Sequence, residues 1–232
     1  MPIDRLLPPL AGLVIAALLV PPQQAPAPVE KVGPTTYRVA RMRVDTARRE
    51  VVVPGTINPA EILEFLASTK DGMKAYESAM SLDTDAISFN ATMLLIGLDP
   101  SRSRPAMRQF DQTPPQGDPV EIEIAWQAGA TTQRVKAEDL IFDQRAKQTL
   151  RTNPWVYTGS TFYDDGAGRR YLAETDGVLI GFMHGPQAII DHPLNDLISG
   201  YGSVVLNPQL QLKPGTALTV TIRALPVDRK QP

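Results

Sequence analysis

The stretch VEIEIAW, Val120–Trp126, decides the fold class. Its apolar residues fall at every second position, Val120, Ile122, Ile124 and Trp126, with Glu121 and Glu123 between them. Alternation of period two marks a strand with one face on a core and the other in water. Gly129 offers a turn into a second strand at Thr131–Val135. A connection that tight pairs strands antiparallel, because a parallel pair needs a long crossover.

The same signals recur outward along the chain. Strands are expected at Tyr37–Val44 and Glu50–Val53, joined by a polar turn at Asp45–Arg49. Trp155–Tyr163 and Arg170–Glu174 flank the turn DDGAG, Asp164–Gly168. Val178–Met183 follows the Asp176-Gly177 turn, and Thr216–Ala224 follows Pro214-Gly215. Ser101–Asp118 and Gly185–Leu212 are rich in turn formers and read as long loops.

Two helices are expected, both early. Over Asn58–Ala67, Asn58 can cap, Pro59 suits the first turn, Glu61 stands three after the cap, and Ile62, Phe65 and Leu66 make a stripe. Over Asp85–Gly97, Thr84 or Asp85 can cap and Gly97 can close. This second helix has almost no polar face, so it should be buried or nearly so. The class predicted is α+β: a mainly antiparallel β-sheet, sandwich-like or curled, with two short helices packed on it.

With 232 residues, 43% of them hydrophobic and 21% charged, the chain suits one globular domain, expected over residues 37–226 with a tail at 227–232. A net charge of -2 gives no basic footprint, so no nucleic-acid partner is expected. Arg5 followed by the apolar run Leu10–Val20 and the small-x-small Ala25-Pro26-Ala27 make residues 1–27 a signal peptide or an N-terminal membrane anchor, with a buried helix of the fold as the plainer reading. A Pro-rich linker follows at residues 28–36. The expected location is the bacterial periplasm or outside the cell, with possible membrane attachment through the N-terminal segment. The absence of cysteine removes disulfides, thiolate nucleophiles and a lipidated cysteine. Five arginines between Arg38 and Arg49 could meet anionic lipid, but Asp45 and Glu50 dilute the charge and favour a solvated edge hairpin.

The order of pieces WVYTGS (Trp155–Ser160), Tyr171-Leu172, Gly177–Gly181 and Asp191–Pro193 resembles the YdjY-like family of bacterial exported domains. The earlier half is similar too, at VPGTIN (Val53–Asn58), Glu77-Ser78 and Ala91–Gly97. The resemblance spans roughly Glu50–Ala224 and implies an envelope domain of unassigned activity. Family members often carry histidines where this chain has Tyr76 and Asn90, so a metal site implied by those histidines is in doubt here.

Tyr76, Glu77, Ser78 and Asn90 are the candidate binding residues. A carboxylate, a hydroxyl and an amide could serve as base, nucleophile and oxyanion donor. Neighbours on a strand point to opposite faces, however, so Glu77 cannot readily activate Ser78. The plainer reading makes Asn90 a buried amide needing a partner, with Glu77 one candidate. No catalytic residue, cofactor or metal is assigned. His184, His192 and Asp191 could offer three zinc ligands, but loop turns account for them more simply. Asp164, Asp165 and Gly166 suit a hairpin turn better than a calcium loop. Trp155, Tyr157, Phe162, Tyr163 and Tyr171 form an aromatic group whose ordinary role is core packing. The functional expectation is a non-catalytic envelope binding or accessory module whose partner is an envelope protein or a small ligand. The alternative is a carboxylate-dependent hydrolase using Glu77, Asp83 or Glu174.

Overall fold

A computed structural model of the chain describes residues 27–194 and 202–227. The strands are β1 (Val29–Lys31), β2 (Thr36–Val39), β3 (Met42–Asp45), β4 (Glu50–Ile57), β5 (Phe65–Thr69) and β6 (Ser78–Leu82). Helix α1 (Ala86–Leu95) precedes β7 (Asp118–Ala128), β8 (Thr131–Lys136), helix α2 (Ala137–Leu140), β9 (Ile141–Asp143) and β10 (Gln148–Thr149). The chain continues through β11 (Trp155–Tyr157), β12 (Phe162–Asp164), β13 (Arg169–Tyr171) and helix α3 (Leu172–Asp176). It closes with β14 (Val178–Gly181), β15 (Ile190–Asp191), β16 (Val204–Leu206) and β17 (Ala217–Ala224).

The alternating stretch behaves as its sequence demands. β17 pairs antiparallel with β4 on one side and β7 on the other, which sets Val53, Val220 and Ile124 in one row and Val51, Ile222 and Ile122 in the next. All six side chains are buried. On the wet face Arg223 reaches both Glu50, at 2.6 Å, and Glu121. Opposite charges thus stand across neighbouring strands where they support the pairing.

The sheet does not stay open. Its order runs β4, β17, β7, β11, β15, β14, β5, β6, and β6 then pairs back onto β4 through Gly55↔Leu82, Thr56↔Ser81 and Ile57↔Met80. The eight strands form a closed barrel, whose interior at that strand number is just filled by side chains. The expectation of an α+β sandwich or curled sheet is therefore corrected. The described protein is mostly β, with three small helices. At the seam, a Cβ on Gly55 would stand 2.6 Å from the Ser81 carbonyl oxygen, so glycine lets the two strands meet.

A second correction concerns Asn58–Ala67, which is not a helix. The chain bends after β4 and enters β5. Asn58 caps nothing: its amide donates to the carbonyls of Ala75 and Ser78, and its oxygen accepts from Ser81 Oγ. Leu63, Phe65, Leu66, Ala67 and Ser68 are all buried, so both faces of this segment are covered and no period was there to read.

Pairing is also not antiparallel throughout. β5 pairs parallel with β6, and β14 parallel with β15, while β5 and β14 meet antiparallel between them. The loop after β5 meets the turn between α3 and β14 at a pair of glycines. A Cβ on Gly177 would lie 2.3 Å from the Cα of Gly72, and Gly177 has φ +71. The Thr69 amide donates to the Gly177 carbonyl at 2.7 Å.

Helix α1 lies where the second helix was expected. Asp85 Oδ1 accepts from the Ser88 amide at 2.6 Å, and Glu174 Oε2 accepts from the amides of Ala86 at 2.9 Å and Ile87 at 3.2 Å. At the other end Arg49 donates to the carbonyls of Ile96 and Gly97. The orphan groups of both termini thus find partners. Burial is less complete than its composition suggests. Phe89, Thr92 and Met93 are buried, whereas Leu94 is 44% exposed and Asn90 half-buried.

The leader expected over residues 1–27 falls, apart from Ala27, outside the described residues, as does the tail beyond Val227. The expected linker carries β1, an exposed strand paired with β2. No helix among the described residues is long and apolar enough to cross a membrane. Most of the arginines of the β2–β3 region have local partners: Arg38 with Glu30, Arg41 with Asp83, Arg48 with Glu50, and Arg49 on α1.

Candidate functional site

The sequence-chosen residues divide between two places. Glu77 is buried at the start of β6, and its Oε1 lies 2.7 Å from Lys74 Nζ. Ser78 donates its hydroxyl to the Lys74 carbonyl at 2.8 Å. Tyr76 is 67% exposed, with the Lys74 ammonium 5.8 Å from its ring centre. Glu64 is a buried neighbour: burial first, then the charge of Glu77, pushes its carboxyl above the usual range, while Gln109 donates to it at 2.6 Å. This corner is a polar network whose hydroxyl and carboxylate are already engaged.

Asn90 does not join it. Its Oδ1 accepts from the hydroxyl of Tyr157 at 2.7 Å, so the partner of this amide is a tyrosine on β11 and not Glu77. Burial first, then the charges of Asp118 and Asp99, pushes the Tyr157 phenol up to about 12, so it keeps its proton and stays the donor. Those two aspartates are themselves held by Arg102, at 2.6 Å for Asp118 and 2.7 Å for Asp99.

Asn90 and Tyr157 stand in the wall of an open groove of about 380 Å³. The chain builds it where Trp155–Tyr163 breaks into two strands. Gly159 and Ser160 take φ of +69 and +58, which ends β11 and redirects the chain into β12. Ser160 Oγ donates toward the carbonyls of Pro186 and Gln187, and Thr158 Oγ1 to that of Ala188, so the kink is fastened from beneath. Leu94, Pro100, Pro105 and Phe162 line the groove with apolar surface. Arg169, from β13, carries its guanidinium carbon 4.3 Å from the centre of the Phe162 ring. The Arg169 side chain makes no ion pair or hydrogen bond among the described residues.

The aromatic group therefore serves two purposes. Trp155, Tyr157 and Tyr171 are core, while Phe162 and Tyr163 are exposed at 50% and 36%. Sequence reasoning found Asn90 but missed Arg169, Phe162 as a wall, and Tyr157 as a partner. An arginine two residues before a buried tyrosine carries no sequence signal of its own.

The remaining candidates resolve into structure. Asp165 Oδ1 accepts from the amides of Ala167 and Gly168, and its Oδ2 from Arg170, while Asp164 accepts from Gly166. His184 and His192 are buried, not surface-loop residues. His184 Nδ1 is 2.9 Å from the Asp111 carbonyl, and the His192 ring packs edge-on against Trp155 at 4.9 Å. Asp191 between them is wholly buried, and accepts from the amides of His192 at 2.9 Å and Gly185 at 3.2 Å. Burial outweighs those donors and pushes its carboxyl up to about 7. Among the described residues no three of His, Asp and Glu are placed to hold a metal ion.

A family model for the YdjY domain matches residues 42–223. The chain belongs to the YdjY domain family. No curated protein and no solved structure matches the chain. Within this YdjY domain, the two positions at which the resemblance led us to expect histidines elsewhere contact different surroundings. Tyr76 projects to solvent beside Lys74, and Asn90 faces Tyr157 and the groove. The WVYTGS stretch of the YdjY domain supplies β11 and the kink, so that piece of the resemblance is also the frame of the groove.

Proposed function

We propose that the chain is an exported, non-catalytic binding or accessory module of the bacterial envelope that takes its ligand or partner in the groove beside Tyr157. The observation that carries this reading is the groove's uncommitted donors: the Asn90 carboxamide nitrogen and the Arg169 guanidinium have no hydrogen-bond acceptor among the described residues. The carboxylates a hydrolase would use are engaged elsewhere. Glu77 pairs with Lys74, Asp83 with Arg41, and Glu174 holds the first turn of α1. The export part of the reading rests on the apolar run Leu10–Val20.

The test is a pull-down from envelope extract with the wild-type chain and with Leu94→Glu, which places a charged group on an exposed apolar wall of the groove. A species that co-elutes with the wild type and is lost with Leu94→Glu supports the reading. Identical co-elution for both removes the groove as the binding surface.

A further inference from the structure

We propose that the ligand of this groove is a carboxylate carried on a short apolar body, held by Arg169 and Asn90. The inference rests on the groove being the binding site and names the chemistry it selects. Three observations lead to it.

The first is charge. Among the described residues no aspartate or glutamate lines the groove, and Arg169 is its one ionisable cation. Two other clefts differ. The cleft beside α3 is lined by Asp71, Asp85 and Glu174 against Lys70, and that beneath β7 and β17 by Glu121, Glu123 and Glu138 against Lys136 and Arg223. Arg169 favours an anion in the Tyr157 groove, with the nearby Asp99 and Asp118 held by Arg102, whereas acids line the other two clefts.

The second is donor geometry. The Arg169 guanidinium carbon lies 4.3 Å from the Phe162 ring centre, and no described residue accepts from its N–H groups, a fork that can meet a carboxylate with two parallel hydrogen bonds. The Tyr157 hydroxyl occupies Asn90 Oδ1, so what the carboxamide still offers is its NH₂ group. Because the phenol keeps its proton far above neutrality, that arrangement holds at any pH the envelope meets. These groups donate and do not accept, which suits a carboxylate and disfavours an amine or ammonium.

The third is the wall. Leu94, Pro100, Pro105 and Phe162 give apolar surface beside the donors, so a bare anion would leave most of the groove unfilled. About 380 Å³ falls within the usual size of a small-molecule site.

The experiment follows the Asn90 side-chain amide and the backbone amides of Thr161 and Phe162 by NMR in the isotope-labelled full chain. Three probes are titrated: phenylbutyrate, the neutral phenylbutanol of the same body, and inorganic phosphate. Saturable shifts with phenylbutyrate are expected, with affinity at least about tenfold above that for phenylbutanol or phosphate. Arg169→Gln, an exposed substitution that leaves the core untouched, should weaken phenylbutyrate by about tenfold. Equal binding of the alcohol or of phosphate, an unchanged affinity in Arg169→Gln, or no saturable shift at these amides overturns the proposal. The co-elution difference with Leu94→Glu would survive any of those results, so failure of the ligand class and failure of the groove are told apart.

Discussion

The wall β4–β17–β7 and the wall β15–β14–β5–β6 belong to one barrel yet are built differently. In the first, β4 and β17 have eight residues each and β7 eleven, joined antiparallel over long registers. One face of each strand is the wetter, so burial alternates along it, and in β7 and β17 the residue types follow. In the second, the strands run from two to five residues, and every residue of β6, β14 and β15 is buried. The lesson is that alternation reports a difference between two faces, and a strand covered on both faces has none to report.

The sharpest way to probe the contrast is pH, because the second wall contains a buried carboxyl. Asp191 titrates near neutrality, at about 7, against an ordinary value of 3.8. Between those values the folded chain keeps a proton that the unfolded chain releases. Stability contributed there is full at acid pH and falls as pH rises, by something on the order of 4 kcal/mol once about pH 7 is passed. Urea unfolding at pH 4 and pH 8 should show most of that drop in the wild type and a flatter dependence in Asp191→Asn. An equal slope in both would remove Asp191 as its source.

The next largest effect compares two glycines of similar backbone. Gly177 in the second wall and Gly129 in the β7–β8 turn have φ of +71 and +63. A Cβ at Gly177 meets Gly72 at 2.3 Å, while one at Gly129 meets nothing within 4 Å. Gly177→Ala should cost about 3 kcal/mol, from the left-handed conformation plus the overlap, and Gly129→Ala about 1 kcal/mol. Denaturation midpoints check this, and equal losses would mean that the crossing loops part freely.

At the joint between the walls stands β11, paired with β7 on one side and β15 on the other. Asn90→Leu strips the partner from the buried Tyr157 hydroxyl and should lower stability by about 1–2 kcal/mol, seen as a lower melting temperature. Smallest is the wet face of the first wall. Arg223→Ala should cost under about 1 kcal/mol, and less at high salt, since the Arg223 side chain is 41% exposed.

What the sequence disclosed follows the same division. Val120–Trp126, the hairpin into β8 and the last strand were legible, as was the capping of α1 by Asp85. The YdjY family was legible from the order of its pieces. Leu63–Ser68 was not, because Asn58, Pro59 and Glu61 imitate a helix start while the burial of both faces hides the strand. Ring closure rests on Gly55 approaching Ser81, a contact between strands that each also satisfy another neighbour. No local pattern encodes it. For the site, the middle of an apolar helix marked Asn90 as needing a partner. Its identity depended on Tyr157, 67 residues away, which only the fold brings near.

The seam between β4 and β6 has a further meaning for life in a crowded compartment. A ring offers no loose selvedge along which a second chain could knit itself, so the hydrophobic lining cannot recruit a stranger. The outer edges of this sheet are largely polar: Thr131, Thr132, Gln133, Arg134 and Lys136 on β8, and Glu30 and Lys31 beside the exposed Val29 on β1. Such trimming discourages lateral stacking of copies.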